Sequence, residues 1–205
     1  KDGGLGYWSH KNILGSGDDI FKITPMAIDI NDTRGVKAAE MTSAALSDLG
    51  RETSSSKVLV CGASYRQDVG DTRYSGSEII VRKLSEMGAI VSVHDPYVKS
   101  WAEFRDQEED PHGKMKFFQN QEKLSQLEVQ SDLDAAISGV DALVLAVPHS
   151  DYLDLQPSEI VKLSGGPLAV IDCFCILEDI QIKEFFRLGC KVRGLGRGHV
   201  GRISE

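Results

Sequence analysis

Residues 57–96 read KVLVCGASYRQDVGDTRYSGSEIIVRKLSEMGAIVSVHDP, and this stretch decides the fold class. It opens on KVLVCGA (57–63), a short β-rich run without polar alternation, as expected of a strand covered on both faces. SGSEIIVRKLSEM (75–87) then sets Ile79, Ile80, Val81 and Leu84 on one helical face, and Gly88 closes it. A second strand at 89–93 ends on His94-Asp95-Pro96. A strand, a helix and another strand in this order imply a parallel pair joined by a crossover.

Downstream, residues 97–130 are charged and irregular, with one weak apolar patch at Met115 to Phe118, and read as an insertion. The acidic run from Gln107 to Asp110 reads as a solvated face. Order resumes with a helix at 131–138 opened by a Ser/Asp cap. VDALVLAV (140–147) is the clearest buried strand, followed by a helix at 157–163 and a strand at 168–172, LAVID. A helix at 178–188 and a strand at 190–195 complete the pattern. Upstream, residues 1–17 are rich in Gly, Ser, Lys and His and read as a loop. Thr24-Pro25 reads as an N-cap followed by proline at the first helical position. Residues 26–49 place Met26, Ile30, Met41, Ala45 and Leu49 at helical spacings. Gly35 weakens this helix and Gly50 suits its C-cap, so the stretch is one long helix or two in tandem. RETSSS (51–56) is a polar linker.

The expected architecture is α/β: a doubly wound, mainly parallel Rossmann-like sheet over 57–205, behind an N-terminal helical segment at 1–56. Ligands of such sheets bind beyond the carboxyl ends of the strands, where the strand order reverses. Residues 62–75, 149–152 and 172–177 are the segments so placed.

A chain of 205 residues suffices for one α/β domain and an appendage. No apolar run approaches the roughly 20 residues that cross a bilayer, so no membrane association is expected. KDGGLGYWSH at the start has no signal-peptide core, which points to a cytoplasmic protein. The formal net charge of -8 argues against general nucleic-acid binding. Cys61, Cys173, Cys175 and Cys190 sit in or beside apolar stretches and read as buried free thiols. Cys173-Phe174-Cys175 lacks a second pair at metal-binding spacing, so no metal site is expected.

The loop GASYRQDVGDTRYSGSE (62–78) is not a dinucleotide fingerprint, because after Gly62 the next glycine is Gly70. It offers instead Tyr65, which can stack on a base, and Arg66 and Arg73, whose planar forks suit phosphate oxygens. The helix N-terminus at Ser75 adds backbone N–H groups. An alternative reading makes Arg66 and Arg73 surface partners of Asp68 and Asp71. His94 and His149, at strand ends, read as satisfied hydrogen-bonding residues, and His10 and His199 suggest nothing definite.

Gly62, Ala63, Tyr65, Asp71, Thr72, Arg73, Ser75, Asp95 and Pro96 together resemble the start of the C-terminal domain of the UDP-glucose/GDP-mannose dehydrogenase family. VDALVLAVPHSDYLDL is similar to a later segment of that family. ITPMAIDINDTRGVKAAEMTSAAL, with Ile30-Asn31, is similar to the end of its central helix. The resemblance implies that Tyr65 and Arg66 hold the nucleotide and phosphate of a nucleotide-diphosphate sugar. It implies that Arg73 reaches toward NAD and that the central helix supports a homodimer. It further implies oxidation of a C6 alcohol to a carboxylate, two hydrides passing to NAD held mainly by a domain outside this chain.

Three positions depart from the family pattern. The family's catalytic loop carries a cysteine, whose thiolate is the nucleophile, followed by Lys-Asp. GGLGYWSHKN (3–12) has none: one register puts Ser9 there, and another, anchored on Lys11-Asn12, puts Trp8 there. The family lysine after the aromatic residue is Arg66 here. The family's Asp-Gly-Arg-Asn appears as Asp172-Cys173-Phe174-Cys175, which removes an expected phosphate partner and leaves Phe174 reading as a packing residue. With the cysteine absent, the alternative is a non-catalytic module that keeps the fold and dimer surface. A flexible leader remains the plainer reading of GGLGYWS.

Overall fold

Val58, Leu59, Val60 and Cys61 are all fully buried, so β1 (Lys57–Cys61) can only sit inside a sheet packed on both faces. The computed structural model describes residues 2–15, 22–105 and 122–203. Beside β1 lie β2 (Ile90–His94), β3 (Val129–Gln130), β4 (Ala142–Leu145), β5 (Ala169–Asp172) and β6 (Lys191–Gly194). The strand order is β3-β2-β1-β4-β5-β6 and every pairing is parallel, so the expected mainly parallel sheet is parallel throughout. The order reverses between β1 and β4, which fixes the crevice at their carboxyl ends.

Alternate strand residues feed two apolar layers. Val58, Val60, Ala142, Val144 and Ile171 face α2 (Ile23–Ser47) and α3 (Gly76–Glu86). Leu59, Cys61, Leu143, Leu145 and Val170 face α5 (Leu133–Ile137), α6 (Pro157–Ser164) and α7 (Asp179–Arg187). Two four-residue helices, α4 (Ala102–Arg105) and α8 (Val200–Ile203), close the edges. Beside α4, the buried Arg82 guanidinium binds Glu78 at 2.9 Å and lies over the Phe104 ring.

Several expectations need correction. Residues 129–130, read as irregular, form β3; it is two residues long, and the N–H of Asp95 also bonds to Gln130 O at 3.1 Å. That is too little sequence to show a period. Residues 2–12, read as loop, form α1 (Asp2–Asn12), which packs on α2. Its glycines each disfavour helix by about 1 kcal/mol, and tertiary context overrides them. α2 begins at Ile23, not after Thr24, with no side-chain cap; Pro25 is its third residue, where no N–H is needed. The Met115 to Phe118 patch and the acidic run from Gln107 lie outside the described residues.

α2 is one uninterrupted helix, and Gly35 is the reason it seats where it does. A Cβ there would lie 2.7 Å from Ile79 Cβ, so the missing side chain lets α2 cross α3 in direct contact. From Gly35 onward, Ala38, Ala39, Thr42, Ala45 and Leu46 form a buried face at helical spacing. Between residues 23 and 34 no described side chain is buried.

Candidate functional site

Three loops meet at the carboxyl edge. They follow β1, β2 and β4, and His149 joins them. Its ring is fully buried, and Nδ1 accepts the backbone N–H of Asp68 at 2.9 Å. The ring proton therefore sits on Nε2, which lies 3.1 Å from both Asp95 Oδ2 and Ser64 Oγ. Ser64 Oγ donates to Arg66 O at 2.9 Å, so it receives the shared Nε2–H. Asp95 also accepts N–H groups of Ala63, Ser64, Tyr97 and Val98. Burial raises its pKa, yet His149 and those N–H groups outweigh it and hold the carboxyl below its ordinary value. Asp68 is likewise held low, chiefly by the Ser150 N–H and hydroxyl.

The tautomer decides what this cluster can do. A His149 that carries its proton on Nε2 cannot take one from Ser64, so Ser64, His149 and Asp95 are not a nucleophilic triad. They are a brace that fixes the loop bearing Tyr65 and Arg66. Gly62 tightens it further: at φ +103 its backbone passes so close to β4 that an added Cβ would meet Val147 Cβ at 2.4 Å.

Tyr65 and Arg66 stand outside the brace. Tyr65 is 43% exposed, and the Arg66 guanidinium lies 6.0 Å from its ring centre. Among the described residues no carboxylate pairs with Arg66; Asp68 is taken by Ser150 instead. Arg73 behaves otherwise. It grips Asp71 with two bonds, of 2.9 and 2.7 Å, as the ion-pair reading expected. Ser75 caps α3 by accepting Ser77 N–H, which occupies one of the N-terminal donors. Ser9, Lys11 and Asn12 lie on α1: Asn12 donates to Trp8 O, and Lys11 Nζ lies over Tyr7. No base hydrogen-bonds the Ser9 hydroxyl among the described residues.

Asp172 ends β5 fully buried and accepts the N–H groups of Phe174, Ile176 and Leu177. Arg197, invisible to motif reading, pairs with it at 3.1 Å. The tight turn puts Cys175 at φ 57 and exposes it, against the expectation of four buried thiols. Phe174 is also exposed rather than packed inside, with the Arg34 guanidinium 5.4 Å from its ring centre. Among the described residues, Asp68, Tyr74 and Cys175 are the non-glycine residues at positive φ, and all lie in these edge loops. Such strain gathers where loop geometry serves function.

His94 and His149 both have the satisfied roles expected of them. The Tyr152 hydroxyl spans His94 Nδ1 at 2.8 Å and His94 O at 3.1 Å. Burial holds the His94 ring below its ordinary 6.5. The unfolded chain therefore takes up that proton first, and stability falls as pH drops below 6.5 toward the folded value. Thermal melts from about pH 8 to about pH 5 should show Tm constant, then falling. His94→Gln should flatten the fall; an unchanged slope would assign it to another group.

The sequence profile of the "UDP-glucose/GDP-mannose dehydrogenase family, UDP binding domain" matches residues 59–179, more than half of the chain. The chain belongs to this family. UDP-N-acetyl-D-mannosamine dehydrogenase of Methanococcus maripaludis is 28% identical over 179 residues, covering 86% of this chain and 35% of the relative. UDP-glucose 6-dehydrogenase of Caenorhabditis elegans is 27% identical over 139 residues, covering 68% and 27%. NDP-N-acetyl-D-galactosaminuronic acid dehydrogenase from Methanosarcina mazei Go1 superposes with a TM-score of 0.77 at 26% identity. That likeness covers 98% of this chain and 38% of the other. The chain thus spans about a third of the length of the dehydrogenases it matches. The matched residues include the loops after β1, β2, β4 and β5. Among the described residues, no helix is long and apolar enough to cross a membrane, and no cluster of His, Cys, Asp and Glu could hold a metal ion.

Proposed function

We propose that this chain is the C-terminal part of an NAD-dependent nucleotide-sugar 6-dehydrogenase and supplies its grip on the nucleotide diphosphate. The observation that carries this is Arg66, resting on Tyr65 beside the β1/β4 switch point with no carboxylate partner among the described residues. A ring face orients a guanidinium without neutralising it, so the charge stays available to a phosphate. Tyr65, nearly half exposed, offers a stacking surface for the base.

The same loop does not fit NAD. A pyrophosphate cradle needs backbone open to the ligand, and here Gly62 is pressed against Val147. Arg73, the residue proposed to reach toward the cofactor, has its charge tied to Asp71. NAD would be held mainly by another part of the protein. Ser9, Lys11 and Asn12 are the candidates nearest the family's catalytic loop, without a described base to activate a hydroxyl. The reading includes a cytoplasmic location and a homodimer. Ile23, Met26 and Ile30, exposed at i, i+3 and i+7 on α2, support the dimer, and a Met26→Glu variant should shift it to monomer in sedimentation.

Calorimetric titration tests the binding. UDP should bind the chain, and Arg66→Ala should weaken it by about tenfold or more, the cost of one charged hydrogen bond. Plain NAD should give no comparable signal. Absence of UDP binding, or equal binding by the variant, would overturn the reading.

A further inference from the structure

Two arginines at the carboxyl edge are held in one manner. Arg66 lies over Tyr65 and Arg34 lies over Phe174, and among the described residues neither has a carboxylate partner. Arg51, Arg73, Arg82, Arg193 and Arg197 each pair with Asp or Glu, while Arg187 and Arg202, among the described residues, have neither a carboxylate partner nor a ring beneath them. In a chain with a net charge of -8, two exposed guanidinium groups held on rings and free of carboxylates keep their charge available to an anion.

Their positions converge. Arg34 is the last exposed residue before Gly35, and a Cβ at Gly35 would lie 3.1 Å from Gly76 O, in the first turn of α3. Arg34 therefore stands where α2 passes the start of α3. Phe174 approaches it from the turn after β5, a turn fixed by Asp172 and bent through Cys175. β1 and β5 are separated by β4 alone, so their ends are about 10 Å apart. Arg66 follows the end of β1 and Arg34, on α2, lies against Phe174 beyond the end of β5, so both guanidinium groups border the same gap.

We propose that Arg34 is a second phosphate ligand, delivered by α2 and steadied by Phe174, which with Arg66 clamps one diphosphate across the β1–β5 gap. This rests on the nucleotide-binding reading above and adds to it a residue from a different element. It also gives the exposed Phe174 a role: it supports the guanidinium's plane rather than filling the core.

Titrations of UDP and UMP into the wild type, R34A, R34K, F174A and R66A separate the possibilities. R34A, at an exposed position, should keep the wild-type melting profile. Its UDP affinity should fall about tenfold to a hundredfold, with a smaller loss for UMP, because the second phosphate is the group it loses. R34K should recover only part, since a lysine cannot present a planar fork. F174A should fall between wild type and R34A. If R34A binds UDP as the wild type does while R66A is weakened, Arg34 is not a ligand and the nucleotide site stands without it. If the wild type binds no UDP, the nucleotide reading falls and this inference falls with it.

Discussion

Asp172→Ala should lower the stability of the chain by about 3–5 kcal/mol, enough to unfold a marginal domain. The carboxylate is fully buried and receives three backbone N–H groups from the turn after β5. It also faces Arg197, whose guanidinium is itself largely buried. Alanine strands those donors and withdraws the principal counter-charge; Asp179 and Leu177 O remain but hold other nitrogens or share them. Asp172→Asn keeps the shape and some acceptors, so about half the loss is expected. Urea denaturation followed by far-UV circular dichroism reads both values. An alanine variant within about 1 kcal/mol of wild type would mean that water replaces the carboxylate and that the turn is not built on it.

Gly62→Ala is expected to cost about 3–5 kcal/mol from two independent sources. One is conformational, since φ +103 suits only glycine. The other is steric, since the new Cβ would sit 2.4 Å from Val147 Cβ and 2.9 Å from Val147 N. The obstructing atoms are Val147 Cβ at 2.4 Å, Cγ2 at 2.6 Å and the backbone N, so a second change of Val147 to alanine, which removes the Cγ2 contact and leaves the closer Cβ, should rescue little. Changing Val147 to glycine should recover part of the steric share and none of the conformational share, despite its own cost to the core. Equal rescue by both would show that the strands separate at this point rather than resist.

Legibility in the sequence followed the range over which each feature is encoded. VDALVLAV and KVLVC announce themselves because burial on both faces leaves continuous apolar runs, and the parallel doubly wound class then follows from the alternation of elements, whereas the strand order does not. The SGSEIIVRKLSEM helix was equally plain, with its Ser75 cap and Leu84 face. β3 was hidden because two residues carry no pattern, and α1 because three glycines argue for a loop. Tyr65 and Arg66 could be picked out by residue type and loop position. The brace could not: Asp95 and Asp68 meet His149 across 54 and 81 positions of chain, and nothing local marks the partners. Arg34 and Phe174 are farther apart still. Gly35 was read as a flaw in a helix because its use, contact with Ile79, belongs to another element.

The seating of α2 has a mechanical side. From Gly35 the helix is clamped along the sheet, while residues 23–34 run free of it for about 18 Å at the rise of an α-helix. That is a cantilever. A tilt of about 5° at its root would displace the far tip by about 1.5 Å. Arg34 sits at the root and hardly moves, whereas Ile23 and Met26 lie near the tip. Whatever loads the outer arm can therefore shift Ile23 and Met26 while leaving the guanidinium at its root in register.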